Sequence, residues 1–165
     1  GAIYTLNTFR NTMVEPSMSI KSDDLASINA IIGQVRNHGS SIRSTLEKYS
    51  DNETHDIAWE VQAGVEALEV FGSRWTIEIL AALYIAGERR FNELRHLLNG
   101  ISSRTLSDKL RACKEVGLID RIVIEGPPVR VSYKLTDHGM HCGKLLSPLV
   151  AYMKIRNGAI ITEVV

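Results

Sequence analysis

The chain has 165 residues, a formal net charge of zero, 44% hydrophobic residues and 23% charged residues. A chain of this length fits one domain, or one domain with an extension, and the composition is ordinary for a globular protein. No apolar run approaches the about 20 residues that a membrane span needs. No signal peptide opens the sequence, and its two cysteines, Cys113 and Cys142, have no metal-binding spacing. We therefore expect a cytoplasmic protein in a reducing compartment.

The charge is distributed unevenly along the chain. Residues 72–135 hold 11 Lys and Arg against 7 Asp and Glu, whereas residues 1–71 hold 5 against 10. Because phosphate binding needs a local rather than a global excess of positive charge, the middle segment is the candidate for nucleic-acid binding.

Residues 1–20 are poorly patterned. Within them residues 3–9 have weak strand character, as does the tail 159–165, and these two segments are candidates for pairing with each other. A clear helix start follows at Ser22, because its hydroxyl can cap the helix and acidic residues at 23 and 24 favour the positive end of the helix dipole.

The stretch from residue 22 to 50 carries apolar residues at alternating spacings of three and four, the period of a coiled-coil seam. Its seam positions are Leu25, Ile28, Ile32, Val35, Gly39, Ile42, Leu46 and Tyr49. Gly39 within Asn37–Ser40 leaves open whether the stretch is one helix or a helical hairpin. The seam needs a partner, either the chain's own core or a helix of a second subunit, and we favour the second subunit.

The remaining residues, 56–165, indicate four helices, two strands and a last helix. Apolar periodicity predicts helices over 57–71, 75–86, 91–98 and 103–116, each followed by a glycine-containing break. Strands are expected over 118–124 and 129–135, around a turn at 125–128 that contains two prolines. A last helix is expected over 137–156, and Pro148 leaves its full length open.

This order predicts a mainly α protein with a small β-hairpin wing, a winged helix-turn-helix with an N-terminal helical extension. The domain division we expect is an extension over 1–55, which serves dimerisation, and a DNA-binding domain over 56–165. The diagnostic part is the short helix 91–98 joined to the longer helix 103–116 through Gly100 and Ile101. Ile101 is apolar within a polar joint, so we expect it to pin the two helices together.

The helix over 103–116 resembles a recognition helix. Leu106, Leu110 and Cys113 form its inward stripe, and hydroxyl and basic residues occupy the opposite face. Arg104 is placed to reach a guanine edge, and a wing tip commonly contacts phosphate or the minor groove. For Arg90 a structural pairing with Glu93 or Glu115 stays open. The predicted DNA-binding residues are Arg89, Arg90, Ser102, Ser103, Arg104, Thr105, Ser107, Asp108, Lys109, Arg111 and Arg130.

Several spaced motifs resemble the HxlR family of regulators, within the broad MarR-like winged-helix group. The motifs are Gly72-Ser73-Arg74-Trp75-Thr76, Arg90-Phe91-Asn92-Glu93-Leu94, Gly100-Ile101-Ser102, Gly117-Leu118-Ile119-Asp120-Arg121, and Pro128 through Tyr133 to Thr136 with Gly139. The resemblance covers about residues 60–153. It implies a homodimer that binds a roughly two-fold site on double-stranded DNA, with helices from both ends of the domain at the interface.

With the seam included, the predicted dimer-interface residues are Leu25, Ile28, Ile32, Val35, Ile42, Leu46, Leu145, Leu149 and Tyr152. Two features depart from the family. Many members carry a Cys at the start of the first core helix, where this chain has Gln62, so we do not expect redox sensing by that route. The seam before residue 55 lies outside the family core and puts the usual dimer geometry in doubt.

Other functions are less well supported by the residues. No catalytic motif is present, so we expect neither an enzyme nor a cofactor. His138 and His141 are spaced as a conceivable metal pair, although helix-surface histidines explain them and we predict no metal site. A protein-docking winged helix would carry apolar residues on the face that is basic here. A small-molecule effector between Trp59, Trp75 and Tyr152 is possible but has no direct support.

Overall fold

The computed structural model describes residues 17–50 and 55–164. The order of its elements confirms the predicted mainly helical fold with a small sheet. The elements are β1 (Met18–Ile20), α1 (Ser22–Ser50), α2 (Ile57–Leu68) continued by a 3₁₀ turn (Glu69–Phe71), α3 (Arg74–Ala86), β2 (Arg89–Arg90), α4 (Phe91–Leu97), α5 (Ser103–Glu115), β3 (Ile119–Ile124), β4 (Arg130–Leu135), α6 (Asp137–Arg156) and β5 (Ile160–Thr162).

The stretch that sequence left open as one helix or a hairpin is one continuous helix, α1. Gly39 does not break it, since a single internal glycine costs only about 1 kcal/mol whereas a new helix must be nucleated again. The seam is covered unevenly. Ile32 is only 8% exposed because its own chain covers it, whereas Ile42 is 63% and Leu46 is 55% exposed.

The described chain divides into two compact units. One takes in the described residues up to 43 together with those from 147 on, and the other is Ser44–Leu146. Both long helices, α1 and α6, pass from one unit to the other. The predicted division into an extension over 1–55 and a DNA-binding domain over 56–165 stays a prediction about roles.

In the first unit, β1 and β5 form a two-stranded parallel sheet with Met18 opposite Ile160. The Met18 N–H donates to the Ala159 carbonyl over 2.8 Å, and the Glu163 N–H donates to the Ile20 carbonyl over 2.8 Å. The expected tail strand is therefore present, and its partner is β1. Residues 3–9, which we considered as that partner, lie outside the described residues.

In the second unit, the core lies beneath α3, α4, α5 and the sheet. The fully buried side chains are Ile79, Leu83, Leu94, Leu106, Leu118 and Ile119. Among them Leu106 belongs to the inward stripe predicted for α5, and burial of each such side chain contributes about 1.5–3 kcal/mol. The core fixes the orientation of α5, because one side of that helix has to face it.

Two glycines bring α6 close to this core. The buried Gly139 packs on the backbone carbonyl of Leu118, and the buried Gly143 packs on the ring of Tyr84. Thr136 precedes the helix and caps it by accepting a hydrogen bond from the Gly139 N–H over 3.0 Å. Pro148 does not end the helix, which continues to Arg156.

Helix α2 remains largely uncovered. Within it Val61, Val65 and Leu68 share one apolar face, and they are about 60% exposed. Ile57 and Trp59 are exposed as well. An apolar helix with this exposure is typical of a surface that associates with another chain.

Candidate nucleic-acid interface

Helices α4 and α5 are joined by a tight turn at Gly100. Gly100 has a φ of 88°, a left-handed conformation that residues with a Cβ adopt only with strain. The turn is closed by the Ile101 N–H, which donates to the Leu98 carbonyl over 3.1 Å. Leu98 and Ile101 are both buried, so the joint is pinned to the core as the sequence predicted.

The inward stripe of α5 is buried as predicted. Leu106 is fully buried, and Leu110 and Cys113 are each 2% exposed. Because these positions recur every three or four residues, they turn the rest of the helix away from the core. The outward face carries Ser103, Arg104, Ser107, Asp108, Arg111 and Lys114, all exposed, flanked by the half-buried Thr105 and Lys109.

Ser102 caps the start of α5. Its backbone is extended, and its Oγ accepts a hydrogen bond from the Thr105 N–H over 3.1 Å. The same hydroxyl donates to Thr105 Oγ1 over 2.9 Å. Both hydrogen-bonding functions of Ser102 are thus engaged within the protein, so this predicted DNA-binding residue holds the first turn of the helix in place.

A second contact at the start of α5 involves Arg95, which sequence reasoning did not select. Arg95 Nη1, in the last turn of α4, donates to Ser103 Oγ over 2.8 Å. The bond links the two helices on the exposed side of the joint. The sequence signal for Arg95 was the position of this basic residue shortly before the glycine joint. A basic residue at that position also fits an ordinary solvent-exposed helix end.

Further along the helix, Asp108 lies near Arg111. Their Oδ1 and Nη1 atoms are 3.8 Å apart, and both side chains are more than half exposed. An exposed pair at this distance contributes little to stability, because water screens both charges. Arg111 is therefore available to exchange this contact for a phosphate.

The wing follows directly. β3 and β4 pair antiparallel, from Ile119 opposite Leu135 to Ile124 opposite Arg130. Arg121, Arg130 and Lys134 are exposed on this hairpin, as expected for a wing that contacts a polyanion. The turn between the strands contains Gly126 at a φ of 147° and the Pro127–Pro128 bond in the cis form.

Arg89 and Arg90 form the short strand β2, which pairs antiparallel with β4 opposite Tyr133 and Ser132. Arg89 is half-buried and its Nη1 donates to the Glu88 carbonyl over 2.7 Å. Arg90 is exposed, and its backbone N–H donates to Glu93 Oε1 over 3.0 Å. That contact engages the backbone of Arg90 rather than its charge, so the guanidinium remains on the surface beside the wing.

Cys113 is buried in the core side of α5. Burial raises the pKa of its thiol above the ordinary value of 9.0, while a hydrogen bond with Thr76 and the charge of Lys109 act in the opposite direction. A buried, protonated thiol is a weak nucleophile. At the position where many family members carry a Cys, Gln62 is exposed and donates to Glu66 Oε1 over 3.2 Å.

The residues considered for other functions are placed as follows. His138 and His141 are exposed, and no group of three metal-binding side chains occurs in residues 17–50 and 55–164. Trp75 packs against the core, with the Arg74 guanidinium 4.6 Å from its ring centre. Trp59 meets the ring of His55 edge-on at 4.7 Å. Within the same described ranges no helix is long and apolar enough to cross a membrane.

A short helix, a glycine joint, an outward basic helix and a paired hairpin together define a winged helix-turn-helix domain of the kind found in transcriptional regulators. A family model described as HxlR-like helix-turn-helix matches residues 70–158. The chain belongs to the HxlR-like helix-turn-helix family.

Known proteins agree with this assignment. A regulator of the helix-turn-helix type from Mycobacterium bovis is 47% identical over 73 residues, which are 44% of this chain and 45% of that protein. The transcriptional regulator YtcD of Bacillus subtilis is 37% identical over 89 residues, 53% of this chain and 70% of that protein. The chain therefore spans less than half the length of the mycobacterial relative.

Among solved structures, a transcriptional regulator of the MarR family from Enterococcus faecalis V583 superimposes with a TM-score of 0.54 at 30% identity. The superposition covers 66% of this chain and 94% of that structure. The MarR-like grouping expected from the sequence motifs is thereby confirmed.

Proposed function

We propose that this protein is a cytoplasmic transcriptional regulator that binds double-stranded DNA in a sequence-specific way as a homodimer. Its α5 enters the major groove, and its wing contacts the adjacent backbone or minor groove. The proposal assigns the protein no catalytic step and no cofactor. The observation that carries it is the outward face of α5, which is largely polar and carries the exposed cations Arg104, Arg111 and Lys114 along its length.

Residue chemistry on that face supports reading of bases. Arg104 is exposed one residue into the helix, where a guanidinium reaches O6 and N7 of guanine with two hydrogen bonds. Ser107 is exposed one turn further on, and Lys109 and Arg111 supply positive charge for phosphates along the same helix. Arg130 on the wing and Arg90 on β2 extend this charge beyond α5.

The same face argues against the docking-module alternative. A surface that binds another protein has an apolar centre surrounded by polar residues. Here the outward face of α5 consists of hydroxyl, acidic and basic residues apart from the small Ala112, and the large apolar residues of the helix lie in the core. Electrostatic attraction to a polyanion explains such a face, whereas docking leaves it unexplained.

Dimer formation is supported by the apolar side chains that the single chain leaves exposed. Val35, Ile42 and Leu46 on α1 are 41–63% exposed, and Leu145 and Leu149 on α6 are 79% and 57% exposed. Tyr152 is 38% exposed. Leu25, Ile28 and Ile32 are largely covered by their own chain and have less surface to offer a partner.

A two-fold dimer places two recognition helices in successive major grooves about 34–36 Å apart. Selection of bound sites from a random DNA pool tests the proposal. We expect a sequence with approximate two-fold symmetry, and an affinity whose logarithm falls by roughly 0.9 for each neutralised phosphate per tenfold rise in salt. Failure to enrich any sequence over the starting pool would contradict sequence-specific binding.

A further inference from the structure

The hydroxyl of Ser103, the first residue of α5, is hydrogen-bonded to the preceding helix in one direction only. Arg95 Nη1 donates to Ser103 Oγ over 2.8 Å. A guanidinium has donors and no acceptor, so Ser103 Oγ has to be the acceptor in this bond. The single hydroxyl hydrogen of Ser103 is therefore left to be donated elsewhere.

Thr105, two residues later, is engaged with the helix cap instead. Its hydroxyl lies 2.9 Å from Ser102 Oγ, which also accepts from the Thr105 N–H over 3.1 Å. Because the Ser102 oxygen has two lone pairs, it can serve both groups, and the Thr105 hydroxyl is held within the first turn. Arg104, next to Ser103, offers only donors. Two consecutive side chains at the start of α5, Ser103 and Arg104, therefore have hydrogens to donate outward.

We propose that Arg95 is a positioning residue that fixes the Ser103 hydroxyl as a donor toward DNA, so that the first turn of α5 selects acceptor groups. This inference rests on the proposed DNA-binding function and adds a residue outside the predicted DNA-binding set. The acceptors available on DNA are phosphate oxygens and, at base edges in the major groove, purine N7, guanine O6 and thymine O4. The N4 amino group of cytosine offers only a donor there and is disfavoured.

The bond has little value for folding. Both side chains are exposed, so water competes for each of them in the folded protein and solvates them in the unfolded chain. Its effect lies in direction: Arg95 occupies one of the two lone pairs of Ser103 Oγ and places a positive charge beside it, so an acceptor on DNA is favoured over a donor. Without Arg95 this preference declines.

A double-mutant cycle on the full chain tests this coupling. Affinities of wild type, Arg95→Met, Ser103→Ala and the double variant are measured by fluorescence anisotropy on the site selected by wild type. We expect each single variant to bind about fivefold more weakly, and the double variant to bind no more weakly than Ser103→Ala alone. Circular dichroism and an unchanged Tm show that the variants remain folded.

Modified DNA identifies the acceptor. One set of duplexes replaces single purines by 7-deazapurines, which lack the N7 acceptor, and another replaces single phosphates by methylphosphonates. We expect a modification at one position to weaken binding of the wild type. The same modification should not change the affinity of Ser103→Ala, and it should change the affinity of Arg95→Met less than that of the wild type. A deazapurine position assigns the hydroxyl to a base edge, and a methylphosphonate position assigns it to the backbone. Ser103→Thr retains the hydroxyl and should restore the sensitivity.

Ser107→Ala is the matched control, because Ser107 is an exposed serine on the same face, one turn beyond Ser103, the serine that Arg95 contacts. Its loss should add to that of Arg95→Met. The inference is overturned if the losses of DNA affinity from Arg95→Met and Ser103→Ala are additive. It is also overturned if Ser103→Ala keeps the wild-type sensitivity at every modified position. Either outcome leaves the proposed function intact. A wild-type protein that selects no DNA overturns both.

Discussion

Gly143 on α6 lies flat against the ring of Tyr84 on α3. A Cβ added to Gly143 would stand 2.6 Å from Tyr84 Cδ2 and 2.9 Å from Cγ, distances that real Cβ atoms do not reach. The absence of a side chain at Gly143 therefore sets how closely α6 approaches the helix beneath it. Cys142, the neighbour of Gly143, packs against the same core as α5.

We expect Gly143→Ala to lower the free energy of unfolding by about 1–3 kcal/mol, because the ring of Tyr84 has to move to accept the methyl group. Urea unfolding followed by circular dichroism measures the effect. The matched control is Gly64→Ala in α2, where nothing lies within 4 Å of the added Cβ. Since Ala favours helices over Gly by up to about 1 kcal/mol, this control should stabilise the protein. Equal effects of the two substitutions would contradict the contact.

Removal of the cap at Ser102 should weaken the start of α5. Ser102→Ala leaves the Thr105 N–H without its side-chain acceptor and is expected to cost about 0.5–2 kcal/mol of stability. Thermal unfolding provides the measurement. Ser107→Ala, at an exposed position inside the same helix, should change the Tm little or raise it slightly. A neutral Ser102→Ala would show that the cap contributes nothing.

The buried thiol of Cys113 should make stability depend on pH in the alkaline range. Because burial raises the pKa of Cys113 above its ordinary value of 9.0, the unfolded chain loses the thiol proton first as pH rises. The contribution of Cys113 to stability is therefore complete below pH 9 and declines above it, by at most about 1.4 kcal/mol per pH unit.

Urea unfolding gives the free energy of unfolding of wild type and of Cys113→Ala between pH 7 and pH 10.5. Because the two proteins share all other titrating groups, the difference between the slopes of free energy against pH isolates the effect of Cys113. A Cys142→Ala variant keeps Cys113 and should keep the decline. Parallel curves for wild type and Cys113→Ala would rule out the pKa shift.

Arg104 should contribute strongly to affinity for a selected DNA site. Arg104→Ala is expected to lose about 1–3 kcal/mol on that site and little on unrelated DNA, because a base contact confers specificity whereas a phosphate contact does not. Fluorescence anisotropy at fixed salt measures both. Arg36→Ala, an exposed arginine on α1, is the control for loss of charge. If Arg104→Ala bound the selected site as tightly as wild type, the recognition-helix assignment would be wrong.

The exposed half of the α1 seam should be needed for dimer formation. Replacement of Ile42 and Leu46 by Glu introduces like charges on an apolar surface and should give monomers by light scattering at micromolar concentration. Both side chains are more than half exposed in the single chain, so the fold should survive. Gln34→Glu, at an exposed polar position of the same helix, should leave the mass unchanged. A dimer that persists in the double variant would place the interface elsewhere.

Most of the fold could be predicted because it depends on local patterns. The helix and strand periods and the glycine breaks each act over a few residues, and the buried stripe of α5 follows directly from them. The continuity of α1 could not be decided from the sequence, because Gly39 both fits a helix end and is tolerated inside a helix.

The features that were missed depend on contacts between distant residues. β2 has two residues and no strand pattern of its own; it exists because β4 offers Arg89 and Arg90 a partner. Arg95 could not be selected, because its role depends on the angle between α4 and α5, which the turn at Gly100 sets. The exposure of Val61 and Val65 was likewise not foreseen, since periodicity identifies an apolar face without revealing which chain covers it.

The parallel pairing of β1 with β5 makes two short segments dependent on each other although about 140 residues separate them, as in the bond from the Ser17 hydroxyl to the Gly158 carbonyl. Neither strand has a second neighbour in the described sheet. Trimming either segment would consequently strip the hydrogen-bonding partner from the other. A shortened version of the chain would have to keep both segments or dispense with both.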